Sequence, residues 1–507
     1  MPENRDNRPN VLLIVSDQHH AGVMGCAGDP VVRTPALDGL AARGVLFDHA
    51  YCAAPLCGPS RMALMTARHP YETRCWSNEG ALSSEVPTFA HGFTAADYQT
   101  VLCGRMHFVG ADQRHGFLSR LVGDVPESAY LEAGWRLGRV LGSLVDTPGY
   151  ARAGLLKSGP GRTGYHAYDE LVSTTAADWL RRRGEDPKSP APFLLVVGLA
   201  APHCPFVAPP EDFAYYADLI TAEDLPVQDP HLPLPVAAMK RAAGLEDPVP
   251  VAAQWRARVA YYGLCSFLDR QVGRVLQVLA ETGLSEDTLV VYTSDHGEML
   301  GEHGWWWKST FHEAAVRVPL LWSWPGRAPA GRRVEANVSL LDLGPTLLES
   351  AGLPALPGVS GSSFTGRLAG SGDGEDTVWA EHAQPAGPSG KVSVGRMVKS
   401  GPWKYVYWHE ASEELFHLDE DPGERRNRAG DPACAEVCAR LRRLARQGWD
   451  PEQIAQRVRH EPQERALLKA WIDRTQPPEP DPLWFDEPPE NWVDTSPEPP
   501  GPGRHLG

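Results

Sequence analysis

Val11-Leu12-Leu13-Ile14-Val15-Ser16-Asp17-Gln18 is a run of five apolar residues followed by a serine, a carboxylate and an amide. With no polar face, it reads as a strand covered on both sides, as in a parallel sheet. Polar residues right after such a strand lie at its carboxyl end, where open α/β sheets bind ligands. Three more runs repeat the pattern. Residues 99–103 lead to Arg105 and His107, residues 193–199 to His203, and residues 288–293 to Asp295-His296. Helical stretches lie between them, at 36–43, 170–182 and 255–282. The alternation predicts an α/β fold with a large, mostly parallel sheet flanked by helices. Four strand ends carrying ionisable or metal-binding residues predict one shared site.

The 507 residues allow roughly two to four domains. The net charge of −16 argues against binding nucleic acid through phosphate contacts and against adhesion to anionic membranes. A small anionic substrate stays open, because a local pocket can oppose the global sign. No run approaches eighteen apolar residues, and residues 1–9 hold no apolar core of a secretory signal. The nine cysteines are odd in number and scattered, which is no disulfide framework and suits a reducing compartment. A cytoplasmic enzyme is expected.

The character of the chain changes after Ser360. Residues 366–376 are rich in Gly, Ser and Asp. Short runs at 391–399 and 403–408 read as antiparallel strands joined at Ser400-Gly401-Pro402, and another at 415–418 ends at Asp421-Pro422-Gly423. Helices follow at 433–447 and 453–475. This predicts a catalytic domain over 1–375, an α+β subdomain over 376–475 and a Pro-rich acidic tail over 476–507. Trp484, Phe485 and Trp492 would pack the tail on the body or on a neighbouring subunit of a homo-oligomer.

Asp17-Gln18 and Asp295-His296 together offer two carboxylates, an amide oxygen and an imidazole. That set suits a hard or borderline divalent ion such as Ca²⁺, Mn²⁺ or Mg²⁺. Each aspartate alone would serve equally well as a helix cap. Cys57-Gly58-Pro59-Ser60-Arg61 puts a proline in the first turn of a helix and a cysteine at its start, where the helix dipole raises thiol reactivity. Alone it reads as a buried cysteine; beside a metal it reads as a nucleophile.

Cys-x-Pro-x-Arg resembles the maturation signal of the type I sulfatases, in which the cysteine becomes formylglycine. The rest of the chain agrees, in order, over about residues 8–430. Arg8-Pro9-Asn10-Val11 to Asp17-Gln18 resembles the opening strand and first metal ligands. Gly104-Arg105-Met106-His107 resembles the strand end with a basic residue and the catalytic histidine, and Pro202-His203 the sulfate-contacting histidine. Ser294-Asp295-His296-Gly297-Glu298, then Gly301-Glu302-His303-Gly304 and Lys308, resemble the second metal pair and the sulfate-binding lysine. Arg317-Val318-Pro319-Leu320, Asp342-Leu343-Gly344-Pro345-Thr346 and Trp403-Lys404-Tyr405 resemble later signatures. The Asp-Gln and Asp-His pairs are closest in flavour to choline sulfatases and phosphonate monoester hydrolases, with Asn78 at a substrate-contacting position.

The resemblance implies an alkaline-phosphatase-like sandwich and a sulfuric ester hydrolase matured by a formylglycine-generating enzyme. Asp17, Gln18, Asp295 and His296 would hold the metal, and hydrated formylglycine 57 would attack a small sulfate ester. Arg61 would anchor the hydrate, and Lys308 and Arg105 would neutralise the sulfuryl oxygens. His203 would hold an ester oxygen or assist the leaving alcohol, and His107 would take the proton of the second hydroxyl. A phosphonate monoester or phosphodiester hydrolase with the same nucleophile is an alternative, and a catalytically silent member of the fold a second. The chain departs from the pattern at Thr66-Ala67, where Thr-Gly is usual, at Arg105, where lysine is usual, and at His312, where an aromatic is common. Trp305-Trp306-Trp307 is read either as core packing or as indoles lining the pocket for an aryl or quaternary ammonium group. Residues 121–165 read as a lid with Trp135, Tyr150 and Tyr165.

Overall fold

Four of the apolar runs form adjacent strands. In the computed structural model, which describes residues 8–124, 151–185, 191–226, 233–370, 376–386, 391–475 and 492–493, an eight-stranded sheet is built from β1 (Asn10–Asp17), β2 (Val45–Phe47), β3 (Gln99–Gly104), β4 (Ser119–Arg120), β5 (Phe193–Pro202), β6 (Thr288–Ser294), β7 (Leu320–Ser323) and β8 (Arg332–Val334). Their spatial order is β8-β2-β7-β6-β1-β5-β3-β4. β1 pairs in parallel with β5 and β6, and β3 in parallel with β5 and β4. Only β7 runs antiparallel to both its neighbours, so the sheet is mostly parallel.

The two-residue period of a strand explains the continuous apolar runs. Val11, Leu13 and Val15 enter one core with Leu194, Val196 and Val291; Leu12 and Ile14 enter the opposite core with Leu195, Val197 and Val290. Helices cover both faces. Among them are α1 (Pro35–Ala42), α2 (Cys57–Thr66), α3 (Gly164–Glu185) and α4 (Val251–Glu281). Every residue of α2 is buried, which is why its sequence shows no polar stripe. It ends at Ala67 in the left-handed region (φ 54°), the position where glycine is usual. The Trp305–Trp306–Trp307 triplet is buried at 4%, 1% and 1% exposure and joins a core cluster with Phe206, Trp255 and Tyr261.

The C-terminal part is an antiparallel sheet of β9 (Thr377–Ala386), β10 (Lys391–Ser400), β11 (Trp403–Trp408) and β12 (Glu414–His417), with α5 (Ala435–Arg446) and α6 (Pro451–Thr475) beside it. The sequence reading missed β9. Lys404 of β11 is fully buried, with Nζ 3.1 Å from Glu313 Oε1 and 2.7 Å from Glu424 Oε1. Phe311 packs on Trp408, and Glu381 N–H donates to the Ala53 carbonyl. In the tail, Trp492–Val493 pairs with Gly161 and Arg162 of the body. Trp135, Tyr150, Trp484 and Phe485 lie outside the described residues.

Candidate active site

The four central strands deliver their following residues to one place, as the sequence predicts. Asp17 Oδ1, Cys57 Sγ, His296 Nε2 and an Asp295 oxygen lie within 4.8 Å of one another, all fully buried. Cys57 Sγ is 3.3 Å from His296 Nε2, 3.5 Å from Asp17 Oδ1 and 2.8 Å from Lys308 Nζ. α2 places the sulfur there because Cys57 is its first residue. The Asn78 side-chain oxygen accepts the Gly58 N–H at 2.9 Å. A Cβ on Gly58 would meet Asn78 Cα and the Ser77 carbonyl at 3.1 Å, so glycine permits that approach.

Each carboxylate divides its labour between its two oxygens. Asp17 Oδ2 accepts from Arg105 Nε at 2.7 Å and Arg61 Nη2 at 3.3 Å. Its Oδ1 is left facing Cys57, His296 and Lys308. Asp295 Oδ2 accepts from Arg61 Nε at 2.8 Å, while Oδ1 takes the Gln18 and His296 N–H groups. Burial pushes the Asp17 carboxyl up, but the cations Arg105, Lys308 and Arg61 outweigh it and hold it well below the usual range. Asp17 is therefore a carboxylate at neutral pH.

The two imidazoles nearest the sulfur have fixed tautomers. His296 Nδ1–H donates to the Gly297 carbonyl at 2.9 Å, which leaves the Nε2 lone pair for the cluster. Burial takes its pKa down to about 4. His203 Nδ1–H donates to the Cys204 carbonyl at 2.5 Å, and its Nε2 lies 4.0 Å from Asp17 Oδ1, with a hydrogen bond to Cys57. Burial and then Lys308 keep it neutral. Tyr165, expected in the lid, is a buried residue of the first turn of α3 and packs edge-on against the His203 ring at 5.8 Å.

Gln18 completes the cluster. It sits at φ 69°, and the Tyr261 hydroxyl braces the turn by donating to its carbonyl at 2.7 Å. Its side-chain Oε1 is buried with no hydrogen-bond partner, an arrangement that costs free energy unless something fills it. Two carboxylate oxygens, an imidazole nitrogen and an orphaned amide oxygen form a donor set that fits a divalent cation.

Three of the predicted residues engage the protein's own groups. Arg61 makes no hydrogen bond to Cys57. It donates to Asp17, Asp295 and the Ser16 and Arg105 carbonyls, and so positions the ligands. Arg105 reaches Asp17, lies 3.8 Å from Asp124 and donates to His107 Nδ1 at 3.1 Å, so its charge serves the protein's own groups. His107 donates from Nε2 to the Asn78 carbonyl at 2.9 Å. Burial, then Arg105, lowers its pKa to about 3.

Sequence reasoning missed Asp124. Its Oδ2 accepts the Met106 and His107 N–H groups at 3.0 and 2.7 Å and Arg120 Nη2 at 3.0 Å. It thereby holds His107 at φ 62°. No motif marks it; it follows a strand of two residues, too short to read.

A family model described as "Sulfatase" matches residues 9–353, and one described as "N-sulphoglucosamine sulphohydrolase, C-terminal" matches 301–448. The chain is 33% identical over 468 residues to a choline-sulfatase of Rhizobium meliloti, covering 89% of each chain. It is 28% identical to arylsulfatase K of Rattus norvegicus, covering 84% of this chain and 77% of the relative. The phosphonate monoester hydrolase of Agrobacterium radiobacter superposes with a TM-score of 0.69 at 25% identity, covering 86% and 94%. A 2-O GAG sulfatase shares the fold, with a TM-score of 0.67 at 23% identity over 92% and 93%. With Cys57, Lys308 and the acidic cluster gathered at the carboxyl ends of the central strands, the chain belongs to the sulfatase family of sulfuric ester hydrolases.

Proposed function

We propose that residue 57, converted from cysteine to formylglycine, is the nucleophile that cleaves a small sulfate monoester, with a divalent cation held by Asp17, Gln18, Asp295 and His296. The observation that carries this reading is the placement of Cys57 Sγ among Lys308 Nζ, His296 Nε2 and Asp17 Oδ1 at 2.8, 3.3 and 3.5 Å. The sulfur stands where the attacking hydroxyl oxygen of the hydrated aldehyde would stand. Bound there, Ca²⁺, Mn²⁺ or Mg²⁺ supplies a Lewis acid for a sulfuryl oxygen and the nucleophile.

The chain's own residues do the rest. Lys308 puts an ammonium group where the sulfuryl oxygens gather negative charge. His203, neutral with its lone pair at Nε2, accepts the proton of the attacking hydroxyl and returns it to the departing alcohol oxygen. The second hydroxyl of the hydrate lets residue 57 expel sulfate and regain its aldehyde. His107 is the second imidazole of the network and takes that hydroxyl's proton after exchanging its hydrogen bond from Arg105. Asn78 lies at the mouth of the nucleophile's helix, half-buried, and contacts the substrate's anionic group.

The reading includes a formylglycine-generating enzyme as maturation partner, and a cytoplasmic location supported by nine cysteines without a disulfide. The choline-sulfatase relative supports a small alcohol sulfate as substrate. A phosphonate monoester is the second reading, supported by likeness to phosphonate monoester hydrolases from Agrobacterium radiobacter and Silicibacter pomeroyi. The first test is a peptide mass spectrum across residue 57 after co-production with a formylglycine-generating enzyme. Aldehyde is expected; a persistent thiol, with a control sulfatase matured alongside, would overturn the mechanism. Rates on choline sulfate, an aryl sulfate and a matched phosphonate ester then choose between the substrates.

A further inference from the structure

The structure assigns Glu298 a role: we infer that it is the positioning residue that turns the amide oxygen of Gln18, rather than its nitrogen, toward the metal site. The inference rests on the metal reading above. Glu298 is fully buried, and both its carboxylate oxygens are committed. Oε1 accepts the Leu300 N–H at 2.8 Å and the Trp307 N–H at 2.7 Å. Oε2 accepts from Gln18 Nε2 at 2.5 Å. A carboxylate only accepts, whereas a glutamine amide has a donor end and an acceptor end. Facing Glu298, Gln18 must therefore present Nε2, which aims Oε1 the other way. That oxygen is buried and has no hydrogen-bond partner. Flipped, the amide would offer an N–H to a cation, which it cannot ligate, and would set two acceptors against each other.

The backbone makes this testable by exchange. In Glu298→Gln the Leu300 and Trp307 N–H groups still demand an acceptor, so the new amide keeps its oxygen on them. Its nitrogen then meets the Gln18 nitrogen, donor against donor, and relief comes from flipping Gln18. The double variant Gln18→Glu with Glu298→Gln restores the pairing. The amide nitrogen now at position 298 donates to one oxygen of the carboxylate now at position 18, and the other oxygen of that carboxylate faces the site.

The measurement is Mn²⁺ binding to metal-stripped protein, followed by the loss of the free-ion paramagnetic resonance signal, with thermal unfolding of each metal-free variant alongside. Glu298→Gln is expected to weaken Mn²⁺ at least about tenfold, the scale seen when the hydrogen-bond partner behind a metal ligand is removed. The double variant is expected to return to wild-type affinity or better, with metal-free melting similar in all three. Equal affinity in wild type and Glu298→Gln would overturn the inference, as would a double variant as weak as the single one, which is what loss of a merely structural brace gives. Absence of Mn²⁺ binding by the wild-type chain would instead remove the metal site, and this inference with it.

Discussion

Lys308 Nζ lies 2.8 Å from Cys57 Sγ, and 3.8 Å from Asp17 Oδ1. The ammonium group thus sits beside both Cys57 and Asp17, where on the proposed reading a transferring sulfuryl group accumulates charge. Lys308→Ala is expected to lower kcat by roughly 10²–10³-fold in steady-state assays on a sulfate ester. A loss below tenfold would move the charge-stabilising role to another residue.

Cys57→Ser keeps an oxygen nucleophile but removes the second hydroxyl. The variant is expected to accept one sulfuryl group and stall, leaving residue 57 sulfated. Intact mass spectrometry after incubation with substrate would show that adduct. Unmodified protein with continued turnover would contradict the role of the hydrate.

Removing the Asp124 side chain takes the paired carboxylate from buried Arg120, leaves Arg105 paired with Asp17, and deprives the Met106 and His107 N–H groups of their acceptor. Asp124→Ala is expected to destabilise the protein by about 3–5 kcal/mol, measured by denaturant titration. Asp124→Asn keeps one acceptor oxygen and should lose less.

His296 is held neutral by burial, with a pKa of about 4 against its ordinary 6.5. Its depressed folded value means that the stability tied to the neutral ring is complete above pH 6.5 and is lost as pH falls through 4. Protons therefore begin to compete with a metal at this ligand near pH 4. Affinity for Mn²⁺ at pH 5.5 is expected within about threefold of that at pH 7.5. A tenfold drop, which an ordinary histidine gives over this interval, would show that the ring titrates normally.

Arg465 on α6 donates to Ser77 Oγ at 2.7 Å and pairs with Glu79, gripping both neighbours of Asn78. Arg465→Ala is expected to reduce kcat/KM by about twofold to fivefold with little change in Tm, in keeping with the modest worth of partly exposed ion pairs. An unchanged kcat/KM would show that the loop holds its shape without the clamp.

The central sheet was legible because burial on both faces leaves continuous apolar runs, and each such strand happens to end in a polar residue. β9 was not, because Glu381 and His382 are polar yet buried and Pro385 interrupts the pattern. The members of the site were legible through strand ends and motifs, but their directions were not. One helical turn between Cys57 and Arg61 puts both on one side of α2, yet the guanidinium turns to Asp17 and Asp295. Glu298 stood within a recognised run, but its partner Gln18 is 280 positions away, so its use appears only when β1 and β6 are paired. Asp124 depends on the same kind of long-range meeting, with Arg105.

Lys404 reaches out of the antiparallel sheet to Glu313, which follows the loop carrying Lys308. Cutting the chain ahead of Thr377 and discarding the remainder would strip the mostly buried Glu313 of its Lys404 partner and bare the Phe311 contact. The C-terminal quarter is therefore a keystone rather than an appendage. A nicked protein would hold its halves together, whereas a shortened gene would yield an insoluble product.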